Sequence, residues 1–309
     1  MKTLGMAGLL VAAVSTTAFA QAADALKTER CATRVAVSLV GKAPSTALLS
    51  SADPQSQVDT MVTSADFQER FSRFINATFN DTPGQTVADD AAYHMAKYVL
   101  ANNLKWEDMF IGAYGVTVNT QVTPNTVTVN ANTNGLGYFR WNPWMVRYAG
   151  NEPAGIRIST AYRMMNNTIG LKLVASTNAP TADISANGRQ AAGCRACHFD
   201  GWFALDKTAA VLGKVTRSGN NVTFAASTAG PQDVLGGLTI NDDKELATAL
   251  VKSQAFEFRA CRLAFEYLYG RAEQTCEGPI FDKCIDAFRT DGKIQTAIAT
   301  VAKEASFCQ

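Results

Sequence analysis

Cys194, Cys197 and His198 stand as Cys-x-x-Cys-His in the run Cys194-Arg195-Ala196-Cys197-His198. Two thiols at this spacing, with an imidazole directly after the second, can stitch a porphyrin to a chain. Each sulfur adds to one vinyl group, and the histidine is then held under the iron as its proximal nitrogen ligand. The motif occurs once, which implies one haem c. The competing uses of these residues are a disulfide or half of a zinc shell. The chain has only two histidines, which leaves poor material for a complete zinc site.

The second axial position decides what such an iron can do. A histidine or methionine there closes the site for electron transfer, whereas an open or water-filled position admits ligands and peroxide chemistry. His94 is the sole histidine outside the motif and the histidine candidate for this distal position. No methionine follows Met165, so a methionine ligand must come from the preceding half, with Met164, Met165, Met145 and Met95 as candidates and Met164 and Met165 foremost. Each has a structural use as well: a lone helical histidine is commonly a partly buried or surface residue, and methionine fills cores. Arg157, Arg163 and Arg189 are candidate donors to the haem propionates, Arg189 being nearest the motif in sequence. Trp202 and Phe203, just after the motif, are expected on the haem edge, where they would keep water from the iron.

The rest of the chain must place these groups. Lys2, the apolar run Leu4 to Val14 and Ala18-Phe19-Ala20 read as a secretory signal peptide cleaved after Ala20. The run is too short to span a bilayer, and no other apolar stretch is long enough. The mature chain is expected to be periplasmic or secreted and to have no membrane span. Export agrees with the haem motif, because bacteria attach haem covalently after export. Net charge is +1 with no basic run, so nucleic-acid binding has no electrostatic footprint. Of the seven cysteines, Cys31, Cys261, Cys276, Cys284 and Cys308 remain once the motif has taken two. In an oxidising compartment some should pair, and an odd number leaves at least one unpaired within the chain. Four of them lie close to the C-terminal end, which predicts a stapled helical hairpin there with its connectivity open.

Periodicity reads the first half as helices. Thr28 to Val40 is a short one ended by Gly41, and Asp53 caps a first-turn Pro54. Ser64 opens an amphipathic helix whose stripe is Phe67, Phe71, Phe74, Ile75 and Phe79, a core face rather than a cofactor wall. Helices are expected at Thr86 to Ala101, Trp106 to Tyr114 and Ala154 to Asn166. Between Val116 and Val129 the period changes to two, which predicts a surface β-hairpin, and Val215 to Phe224 reads as a second, smaller one. Gly188 opens a short helix through Cys197, Phe203 begins another, and Pro231 to Gly237 reads as loop. Helices then follow from Asp243, through Cys261 to Gly270, from Pro279, and from Ile294 towards Cys308.

The run from Cys194 to His198, then Gly201-Trp202-Phe203-Ala204-Leu205-Asp206, then Leu268-Tyr269-Gly270-Arg271 and the two helices after it, resembles a family of exported bacterial c-type cytochromes of unknown function. Its members carry Cys-x-x-Cys-His, an Asp-Pro-x-Gly-Phe-x-Leu-Glu-like stretch and a helix ending in Leu-Gly-Arg. The resemblance covers roughly Gly188 to Phe307. This chain departs from the pattern in lacking the proline and in carrying Asp206 where a glutamate is usual. The resemblance implies a haem c domain and no particular substrate.

The expected fold is mainly α. Residues 1–20 form the signal peptide, 21–187 a mostly helical region with a small β-hairpin, and 188–309 a helical cytochrome c-like haem domain. The expected function is that of an exported mono-haem c-type cytochrome passing electrons to redox partner proteins not identifiable from sequence. A haem enzyme with an open iron position, peroxidase-like, is the alternative, as is a haem-bearing subunit of a larger redox complex. No acid–base pair stands out, which favours a carrier over an enzyme.

Overall fold

Helix α1 (Gly8–Val40) is much longer than the expected helix from Thr28. No proline or internal glycine interrupts it and alanine is frequent, so nothing stops the turns from continuing back through Ala20. It ends at Gly41, whose φ of +70° is the left-handed conformation that closes helices. This is a computed structural model, and it describes residues 8–80, 83, 90–148, 157–173, 181–218 and 221–309. Within them no helix is long and apolar enough to cross a membrane.

Short helices α2 (Thr46–Leu49) and α3 (Val58–Met61) follow, with a 3-10 turn at Pro54–Gln57 between them. Asp53 caps that turn by accepting from the Gln55 amide, as its sequence position suggests. Ser64 caps α4 (Ala65–Phe79) by accepting from the Phe67 amide at 3.2 Å. The expected stripe is the core face: Phe67, Phe71, Ile75 and Phe79 are buried, and Phe74 packs at its margin. Next come α5 (Ala91–Ala101) and α6 (Asp108–Ile111). The first turn expected for α5, at 86–89, lies outside the described residues.

Outside this stripe, Glu69 of α4 is gripped from α5. Lys97 Nζ donates to its carboxylate at 2.7 Å and the Tyr93 hydroxyl at 2.6 Å, while Arg73 pairs with it from one turn on. Burial pushes the Glu69 carboxyl up, but the hydrogen bonds from Lys97 and Tyr93 and the charges of Lys97 and Arg73 outweigh this and lower it from 4.5 to about 2. A carboxyl lowered on folding stabilises the native state above its unfolded value and loses that contribution as pH falls towards the folded one. Urea unfolding at stepped pH between 4.5 and 2 should therefore show wild type losing stability more steeply than Glu69→Gln. Parallel pH profiles would show that this network does not couple to folding.

Among the described residues three antiparallel hairpins decorate the helices. β1 (Tyr114–Asn119) and β2 (Thr126–Ala131) pair with Val116 opposite Val129, as the alternation of valines predicts. Helix α7 (Asn142–Tyr148) carries part of the aromatic cluster of Phe139, Trp141, Trp144 and Tyr148, all buried. Helix α8 (Ile158–Ile169) begins after the expected Ala154, and 154–156 lie outside the described residues. The motif lies in α9 (Ala192–Arg195) and the turn that follows it, and leads to α10 (Leu205–Val211). β3 (Lys214–Ser218) and β4 (Asn221–Ala225) form the second expected hairpin. The expected loop at 231–237 is instead part of a third hairpin, β5 (Gln232–Val234) with β6 (Leu238–Ile240). Its strands are too short to show a period of two, and Leu235, Gly236 and Gly237 turn the chain with positive φ.

The C-terminal helices are α11 (Asp243–Val251), α12 (Gln254–Tyr269), α13 (Gly278–Asp291) and α14 (Ile294–Ala302). Cys261 of α12 is bonded to Cys284 of α13, which is the stapled hairpin the cysteine spacing predicts. A second disulfide joins Cys31 of α1 to Cys308, and Cys276 is unpaired and exposed. Residues from both sides of position 187 share one apolar cluster running from Cys31 to Phe307. Within it the Tyr267 hydroxyl donates to the Leu39 carbonyl at 2.5 Å, and the Trp106 amide donates to the Gly292 carbonyl at 2.7 Å.

Candidate functional site

The motif sits on a segment built from short, unlike turns. Gly188–Gln190 is a 3-10 turn, α9 follows, and Ala196–Asp200 is a single π turn containing Cys197 and His198. The π turn is closed by the Gly201 amide donating five residues back to the Ala196 carbonyl at 2.7 Å. A Cβ on residue 201 would lie 2.5 Å from that carbonyl oxygen, so the turn requires glycine. Ala204 then takes φ +27°, a left-handed conformation costly for alanine, and is held by a bond from the Thr208 amide to its carbonyl at 2.8 Å. The sharp reversal sets the first turn of α10 against the π turn. Because α10 also packs on α8 and β5, the face it turns towards the motif is anchored in the core.

Asp206 is the residue this reversal delivers. One of its oxygens lies 2.7 Å from His198 Nδ1, and its side chain is only 5% exposed. Arg189 grips the same carboxylate, with Nη2 at 2.9 Å and Nε at 3.1 Å from Oδ1, while its Nη1 donates to the Ile184 carbonyl at 2.5 Å. With the carboxylate paired to a guanidinium, Asp206 is the acceptor of this bond and His198 Nδ1 its donor. A neutral ring with its proton on Nδ1 keeps its lone pair on Nε2. Arg195 and Asp200 pair at 2.8 Å on the exposed side of the segment.

The thiols face outward: Cys194 is exposed and Cys197 half-buried, and neither is paired, although four other cysteines form disulfides. Among the described residues no group of three or more His, Cys, Asp or Glu side chains is placed to hold a metal ion. Among the described residues the half zinc shell therefore has no complement. The residues do fit a haem c. Two unbonded thiols and an imidazole with one nitrogen anchored lie on one short segment, and the same stretch of chain carries exposed apolar side chains. Trp202 is 49% exposed and packs edge-on against Phe203 at 5.4 Å, and Ile184 is 67% exposed.

The other expected residues are placed as follows. His94 lies half-buried on α5, edge-on to Trp141 at 5.4 Å and to Tyr93 at 5.0 Å, beside a cavity of about 610 Å³ lined also by Arg73, Asn76 and Lys97. Helix α5 packs chiefly on α4, α6 and β2, whereas the motif segment packs chiefly on α10, so the two histidines belong to different packing groups. Met164 and Met165 are buried on α8, the helix beneath α10, and Met95 and Met145 are buried as well. Arg157 is buried against Phe224, and desolvation lowers it to about 10. Arg163 lies over the Tyr148 ring. Arg189 stands beside the motif, as its sequence position suggests, but its guanidinium serves Asp206. In the sequence, Asp206 stands out only as a departure from a family pattern. Its role depends on an eight-residue return through a left-handed alanine, which no periodicity encodes. Compared with known proteins, the chain matches no family model, no curated protein and no solved structure.

Proposed function

We propose that this chain is an exported mono-haem c-type cytochrome that transfers electrons, with haem joined to Cys194 and Cys197 and His198 as its proximal ligand. The observation that carries the reading is the state of the motif. Its histidine is fixed through Nδ1 by a buried carboxylate, and its two cysteines stay unbonded in a chain that pairs four others. Bound haem supplies a one-electron redox centre. The chain's own contribution is to orient His198 through Nδ1, to present two unbonded thiols three residues apart in sequence and to offer Trp202 and Phe203 as apolar cover. His94 and the pair Met164 and Met165 remain the candidates for the distal position. Redox partner proteins and a periplasmic or extracellular location belong to the same proposal.

A second reading is favoured by one contact. A carboxylate on the proximal histidine strengthens its donation to iron, which suits an open-position, peroxidase-like enzyme as well as a carrier. Both readings are tested by producing the mature chain alongside a haem-ligation apparatus. Haem that survives a denaturing gel is expected, and a colourless chain would refute both. Carbon monoxide then separates them: prompt binding to the reduced protein means an open iron, and none means a carrier.

A further inference from the structure

Asp206 is an ion where a neutral acceptor would suffice to orient a ring. A backbone carbonyl on Nδ1 would fix the same tautomer. A carboxylate adds negative charge to the imidazole and raises the basicity of Nε2. At 5% side-chain exposure that charge is screened less than it would be in water. Arg189 binds the carboxylate through Nε and Nη2 and is itself tied to the Ile184 carbonyl, so Asp206 cannot swing away from the ring. Arg195 and Asp200, the other charges on the segment, neutralise one another on its exposed side. The arrangement is a chain of three polar side chains, guanidinium to carboxylate to imidazole, ending at the atom that would meet iron.

We propose that Asp206, clamped by Arg189, is a positioning residue that gives His198 anionic donor character and thereby favours the ferric state of the attached haem. This rests on the haem reading above. A more basic proximal nitrogen stabilises ferric over ferrous iron, so this haem accepts electrons only from a donor of low potential. The carboxylate, rather than the distal ligand alone, sets that threshold.

The test is a redox titration, followed in the visible spectrum, of the holoprotein in three forms: wild type, Asp206→Asn and Asp206→Glu. Asp206→Asn keeps the shape and removes the charge. It should move the ferric–ferrous equilibrium at least tenfold towards ferrous, about 59 mV for one electron. Asp206→Glu keeps the charge and should recover most of that shift. An unchanged midpoint in a haem-loaded Asp206→Asn protein overturns the inference and leaves the cytochrome reading standing, whereas a colourless wild type defeats the cytochrome reading itself. Should Asp206→Asn fail to load haem, nitrogen-15 NMR of histidine in the haem-free Cys194→Ala, Cys197→Ala chain decides. Only two imidazoles contribute signals. His198 should show a protonated Nδ1 and an unprotonated Nε2 while Asp206 is present. Rapid averaging between tautomers in that parent would overturn the proposal.

Discussion

Replacing Cys194 and Cys197 together by alanine should abolish haem staining on a denaturing gel and leave the fold intact. The two losses separate because of where the sulfurs lie. Neither belongs to the apolar cluster, one is exposed and the other only half-buried, and the short α9 makes its contacts with its own neighbours in the segment. Substitutions at such positions usually change stability by less than about 0.5 kcal/mol. The far-ultraviolet circular dichroism spectrum and the urea midpoint should therefore match those of the haem-free parent. Staining that persists in the double variant would end the assignment of this motif, because no sulfur would remain there to hold the porphyrin. Loss of the fold along with the stain would show instead that the segment is structural.

Truncating Phe71 to alanine should give the largest loss of stability of any single change considered. Its ring lies 5.0 Å from Tyr267, 5.6 Å from Phe67, 5.7 Å from Phe74 and 5.9 Å from Trp106, centroid to centroid, and is fully buried. Tyr267 comes from α12 and Trp106 from the segment leading into α6, so the ring joins helices far apart in sequence. Deleting a buried phenylalanine costs about 3–5 kcal/mol, from lost transfer energy and the cavity left behind. The urea midpoint should fall by that amount divided by the denaturant slope, with tryptophan fluorescence and circular dichroism moving together. A loss below about 1 kcal/mol would mean that the four neighbouring rings close the gap, against the limited relaxation usual in packed cores.

The sequence was most readable where one local rule decides the structure. Ser64 and Asp53 carry cap signals, and both do cap, each accepting a hydrogen bond from a backbone amide in the turn it opens. The phenylalanine stripe of α4 and the valine alternation of β1 and β2 are period effects, and neither needs tertiary information. The staple between Cys261 and Cys284 followed from density of cysteines near the C-terminal end, but its partner choice did not, since pairing depends on how α12 and α13 meet. Helix α1 starts well before the expected Thr28, because no proline or internal glycine breaks the turns between Gly8 and that point. At the candidate site the motif itself was legible as chemistry. What holds it was not: Asp206 reaches His198 through a π turn and a left-handed Ala204, and Arg189 faces inward to a carboxylate rather than outward to a propionate.

The bond between Cys31 and Cys308 spans 277 positions of sequence. Every residue from 32 to 307, including the whole motif, therefore belongs to one covalent ring. A single protease cut anywhere in that interval opens the ring without releasing a fragment. A nicked molecule would migrate undivided until a reductant is added, and any porphyrin it carries would stay with both pieces until then.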